Sequence, residues 1–72
     1  MAADKVLNLM DQYYDYIGGN TNYPKSRVII FKLLDDVTDR RGWRQEWDGF
    51  DDDIQIEILE TWLDIVEGVL HD

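Results

Sequence analysis

Residues 51–70 read DDDIQIEILETWLDIVEGVL, and the period of this stretch decides the fold. At 100° per residue, Asp53, Glu57, Glu60, Asp64 and Glu67 fall in a sector roughly 80° wide. Their spacing of 4, 3, 4, 3 sets them in one straight row along a helix. The apolar residues from Ile54 to Leu70 cover the other side, over about 200° of the wheel. An arc that wide exceeds what one neighbouring helix covers, so this helix is expected to sit against both other helices or to lend part of its face to a second subunit. Asp51 or Asp52 can cap its start, and Asp52 with Gln55 has the spacing of a capping box. Gly68 lies inside the helical stretch, where it costs up to about 1 kcal/mol relative to alanine. It marks either close packing or fraying.

Immediately before this helix stands Trp43-Arg44-Gln45-Glu46-Trp47-Asp48-Gly49-Phe50, bounded by glycines. One helical turn sets Trp43 and Trp47 on the same side. The spacing predicts a short helix or compact turn whose aromatics plug the core. A second reading makes one indole, with Arg44, an anchor for a partner, because Trp and Arg dominate interface hot spots.

Farther back, Pro24 to Asp39 reads as a helix with Ile29, Ile30, Phe31, Leu33, Leu34 and Val37 as its apolar arc. Asn22 or Thr21 is placed to cap it, with Pro24 in the first turn, and Arg40-Arg41-Gly42 to end it. Val28 to Phe31 alone would suit a strand, but the helical period continues through Val37 and no second strand exists to pair with it. The first amphipathic helix is expected over Ala3–Ile17, closed by Gly18-Gly19-Asn20. Of its clustered tyrosines, Tyr13 and one neighbour are expected inside and the others on the rim. The fold class that follows is all-α: a small three-helix bundle over residues 1–72, with a Trp-containing helix or turn between helices 2 and 3.

Composition narrows the functions. Seventy-two residues lie near the lower limit for a single self-sufficient core. The chain is 44 % hydrophobic, with three Trp, four Tyr and two Phe, which supports a globular domain rather than a disordered tail. Cysteine is absent, so disulfide and thiolate chemistry are excluded. The first ten residues lack a basic start followed by a long apolar run, and the expectation is a soluble cytoplasmic protein.

The net charge is −9 and unevenly spread. Residues 1–20 carry −2, residues 21–44 carry +3, and residues 45–72 carry −10 with no Lys or Arg after Arg44. Such a balance disfavours direct contact with nucleic acid or anionic membrane and favours a basic partner.

Chemistry is sparse. Asp48-Gly49-Phe50-Asp51-Asp52-Asp53 invites a calcium reading, but Phe50 occupies the third position and the EF-hand pattern fails. The only histidine, His71, has Glu67 one turn before it and too few neighbours for a metal site. Ser26, the only serine, lies in Lys25-Ser26-Arg27 with no base nearby in sequence. Small, acidic and helical is similar to acyl carrier proteins in composition alone, because those attach their prosthetic group to an Asp-Ser-Leu serine. No phosphate loop occurs.

The expectation is a non-enzymatic acidic module, without cofactor or metal. Asp53, Glu57, Glu60, Asp64 and Glu67 would meet a basic protein surface, reinforced by Asp4, Asp11 and Asp15 of the first helix. Regularly placed carboxylates on a rigid helix imitate a phosphate backbone, and a nucleic-acid-binding protein is the natural recipient. By analogy, the arrangement is similar to small phage-encoded inhibitors and antitoxin-like proteins. Trp43, Arg44 and Trp47 are the aromatic and basic anchor candidates. The alternative is a homo-oligomeric structural or adaptor module, a homodimer for example, built on the wide apolar face of the last helix.

Overall fold

A computed structural model of the chain describes residues 7–70, whose regular structure is entirely helical. Four helices follow in order: α1 (Leu9–Ile17), α2 (Lys25–Thr38), α3 (Trp43–Gly49) and α4 (Asp52–Leu70). The all-α class agrees with the sequence periodicity. The count does not: the Trp-bearing connection is a helix of seven residues in its own right, so the described residues hold four helices rather than three. Gly42 makes this possible with φ 93°, a left-handed conformation that side-chain-bearing residues avoid and that turns the chain from α2 into α3.

The first helix begins at Leu9 and not at Ala3. Asn8 is extended, and its side chain accepts the Asp11 N–H at 2.8 Å, which makes it the N-cap. The apolar period continues through this position, but asparagine competes for free backbone donors and so starts a helix better than it continues one. The expected stretch from Ala3 to Val6 lies outside the described residues. At the other end Gly19, with φ 126°, closes α1 as expected.

Helix α2 lies one residue inside its expected bounds at each end. Pro24 takes the N-cap place without a side-chain bond, so neither Asn22 nor Thr21 caps the helix. Instead the Asn22 N–H donates to Asn20 Oδ1 at 3.1 Å, tightening the loop that precedes it. Asp15 completes this loop. Its Oδ2 accepts from Asn20 Nδ2 at 2.7 Å and from the Tyr23 hydroxyl at 2.6 Å.

The core is centred on α2 and α4. Ile30, Phe31 and Leu34 of α2 and Leu59 of α4 are fully enclosed, with Leu9, Met10 and Tyr13 of α1, Trp47 of α3 and Leu63 of α4 around them. Helix α2 contacts both α3 and α4, and α1 packs on α4. Phe31 is ringed by Tyr13, Tyr16 and Tyr23 at centroid separations of 6.0, 5.5 and 5.6 Å. Tyr13 is buried and Tyr16 packs on the core, while Tyr14 stays exposed, as the tyrosine cluster led one to expect.

Two tyrosine hydroxyls respond to their surroundings. Burial raises the Tyr13 phenol above its ordinary value of 10.0, partly offset by a hydrogen bond to Thr38. The Tyr23 phenol is raised by its hydrogen bond to the Asp15 carboxylate. A folded-state pKa above the unfolded one means that the contribution is complete below pH about 10 and is lost as pH rises through the folded value. Urea denaturation from pH 8 to 11 is therefore expected to show a plateau and then a fall. Tyr23→Phe should remove part of that alkaline fall, and an unchanged profile would reject the Asp15 bond as a contributor.

Helix α3 is held by a polar side chain. Gln55 is buried, and its Nε2 donates to the Trp47 carbonyl at 2.8 Å. The same carbonyl accepts the Phe50 N–H at 3.1 Å at the end of α3, so the Gln55 amide adds a second bond that ties α3 to α4. Because α4 starts at Asp52, the residue before it, Asp51, holds the cap position, and its carbonyl accepts the Gln55 N–H at 3.0 Å. This puts the expected capping box of Asp52 with Gln55 out of frame. The fixed amide explains why a seven-residue helix can present Trp47 to the core. Gln55→Leu, near in volume, removes this bond while the Phe50 N–H keeps the carbonyl partnered, and is expected to cost about 0.5–1.5 kcal/mol. Chemical denaturation followed by tryptophan fluorescence measures it.

Candidate functional site

Around α4 the side chains sort into bands. Gln55, Leu59 and Leu63 point into the core. Next on the wheel comes Trp62, partly buried and packed on the core, and then a row of Ile54, Ile58, Ile65 and Val69 within about 60° of one another. Ile65 is 60 % exposed and Val69 69 %. Thr61 and Gly68 follow, and beyond them stands the carboxylate row. The wide apolar arc is thus divided between core and solvent.

Every member of the carboxylate row, Asp53, Glu57, Glu60, Asp64 and Glu67, is exposed. The two ion pairs among the described residues lie elsewhere, Arg40 with Asp36 at 3.1 Å and Arg44 with Asp48 at 3.9 Å. Both are exposed one-turn pairs of small energetic weight. Glu67 alone has a side-chain partner across helices, accepting from the Ser26 hydroxyl at 3.3 Å. The row is therefore a line of negative charge without a neutralising base among the described residues.

The thinner acidic row on the first helix fares differently. Asp4 lies outside the described residues. Asp11 is half-buried in the first turn of α1. Asp15 is engaged by Asn20 and Tyr23 and holds the α1–α2 loop. Asp11 and Asp15 thus differ in surroundings from the uniformly exposed row of α4. His71 also lies outside the described residues.

The tryptophan pair separates. Trp47 is 6 % exposed and belongs to the core, whereas Trp43 is 62 % exposed. Both nonetheless line one groove of about 330 Å³ between α3 and α4. Val37, Phe50, Ile58 and Trp62 form the rest of its apolar wall, and Glu46 is its only charged lining residue. Trp47 and Trp62 stack at 6.4 Å with an interplanar angle of 25°, and Phe50 meets Trp47 edge-on at 6.1 Å. Arg44 is not a lining residue of this groove, since it turns to Asp48 and the cleft beside Tyr13 and Tyr14.

Sequence reasoning missed Val37, Phe50, Ile58 and Trp62 as surface groove residues, taking them as core or leaving them unassigned. The available signal was the 200° arc of the last helix, too wide for the neighbours at hand. Gly68 is also clarified. A Cβ built there meets no atom within 4 Å, so close internal packing is not what this glycine serves, and α4 continues past it to Leu70.

No group of three His, Cys, Asp or Glu among the described residues is placed to hold a metal ion. Nor is any described helix long and apolar enough to cross a membrane. In comparisons with known proteins, no family model, no curated protein and no solved structure matches the chain.

Proposed function

We propose that the chain is a non-enzymatic, cytoplasmic protein-binding module that engages a basic partner surface through the carboxylate row of α4. Surfaces that normally bind nucleic acid carry the required Lys and Arg, and occupying one would make this protein an inhibitor that imitates a phosphate backbone. The observation that carries the reading is the row itself. Five exposed carboxylates stand on one rigid helix with no ion pair to any described base. An ordinary solvated helix gains stability by interspersing lysines one turn away, and α4 has none.

A pull-down with mass spectrometry tests the reading, run with the wild type and with Glu57→Gln/Glu60→Gln/Asp64→Asn at low and high salt. The expected result is capture of a basic protein by the wild type, weakened by salt and absent from the variant. Identical captures by the two proteins reject the carboxylate row as the binding surface.

The exposed apolar row of α4 favours the second reading, a homo-oligomer joined through that face. Light scattering on a sizing column decides it. A monomer at micromolar concentration at both low and high salt removes the oligomer.

A further inference from the structure

We propose that the groove between α3 and α4, continued along the exposed apolar row of α4, seats a cationic amphipathic helix of the partner. This deepens the proposed function and rests on it.

The groove supplies an aromatic floor for one or two large apolar side chains, with Trp43 open to solvent at its edge. From it the row runs along α4 from Ile54 to Val69, fifteen steps or about 22 Å, the length of four helical turns. Apolar residues left exposed at helical spacing, beside a preformed aromatic groove, are the pattern that receives a helix with anchors one turn apart.

Charge selects which helix. One edge of the groove carries Glu46. On the other side of the apolar row, past Thr61 and Gly68, stand Glu57 and Asp64. Both intervening residues are small, and nothing within 4 Å fills the space at Gly68. A helix lying on the row would therefore have the acids of α4 along one margin, and on the other Glu46 at the groove, beside Arg41. Lysine and arginine suit the α4 margin, because their stems lie across apolar surface while the charged head reaches outward. An acidic or neutral helix would gain no such contacts.

A second copy of this chain fits less well. Helix α4 carries Asp52, Asp53, Glu57, Glu60, Asp64 and Glu67 and no base. Two copies meeting along α4 would bring like charges together, and opposed charges of one sign are destabilising at an interface.

The test uses the full chain and three synthetic peptides of about 18 residues without tryptophan, the length of five helical turns. One has leucines at i, i+3, i+4 and i+7 flanked by lysines. The second has the same composition in an order with no apolar face. The third keeps the leucine face but replaces lysine by glutamine. Titrations follow the protein's tryptophan fluorescence at two salt concentrations. The first peptide is expected to bind with a blue shift and at least about tenfold more tightly than either of the others.

Trp43→Ala and Ile65→Ser alter exposed residues, so the fold is expected to survive, as circular dichroism will verify. Each should weaken the first peptide by about tenfold. Equal binding of the scrambled cationic peptide overturns the groove while leaving the acidic module standing. Equal binding of the glutamine peptide overturns the cationic occupant. A blue shift that grows with protein concentration in the absence of peptide assigns the groove to a second copy and overturns the proposal. If neither cationic peptide binds at low salt, the groove proposal is overturned, and the pull-down with the carboxylate variant decides the acidic module separately.

Discussion

Phe31→Ala is expected to abolish the cooperative thermal transition of this protein or to lower its midpoint by roughly 15–30 °C. Phe31 is fully enclosed and is the one side chain that three tyrosines share. Truncating a buried phenylalanine costs about 3–5 kcal/mol, from lost burial and from the cavity left behind. Here the loss also removes three aromatic contacts, each worth roughly 0.5–1.5 kcal/mol beyond area burial, part of which is already contained in the measured truncation costs. A domain of 72 residues has a total stability of only about 4–11 kcal/mol at the usual value per residue. One ring is thus a large fraction of the whole. Circular dichroism at 222 nm against temperature measures the change, with Phe31→Leu as a milder control that keeps most of the volume. A midpoint lowered by less than about 5 °C in Phe31→Ala would show that α1 and the loop before α2 do not depend on this ring.

The second large effect has the opposite sign on stability. Neutralising Glu57, Glu60 and Asp64 together is expected to stabilise the fold by roughly 1–2 kcal/mol. Neighbours along the row are three or four residues apart, so 53–57, 57–60, 60–64 and 64–67 are four like-charge pairs. Each such pair destabilises a helix by about 0.2–0.5 kcal/mol, and the triple variant removes all four. None of the three replaced residues has a hydrogen bond or ion pair to another side chain among the described residues that would be lost. Raising the salt concentration screens the repulsion and should shrink the difference between variant and wild type.

Denaturant titrations at low and high salt measure this directly. Paired with loss of partner capture, a gain in stability would mean that the wild-type row is retained at a cost to the fold, as expected of a working surface. Loss of stability in the variant would instead assign the row a structural role and undercut the proposed function.

Much of this was legible in the chain itself. The helical class, the bounds of α2 to within a residue, the start of α4 and the closing glycine of α1 all follow from local period and end signals. These depend on neighbours within one or two turns. Asn8 shows the limit of that reasoning. Apolar spacing carried the first helix through it, while its amide, in competition with the backbone, stopped the helix there. Gln55 shows another limit. Its spacing from Asp52 fitted a local cap, yet its donor went to a carbonyl eight residues away that only the α3–α4 corner brings close.

The candidate site divides along the same line. The carboxylate row of α4 was complete in the sequence, because five acids at helical spacing share a face whatever the rest of the fold does. The amount of negative charge, its regularity and the absence of any base after Arg44 needed no tertiary information. Which part of the apolar arc stays open was decided only by packing. Leu59 and Leu63 became core, and Ile65 and Val69 were left in solvent, because α1 and α2 cover just part of the circumference of α4. The same placement buried Trp47 and exposed Trp43, four residues apart on a single turn. Charge and period are local properties of a chain. Coverage is a property of the distant segments that fold against it.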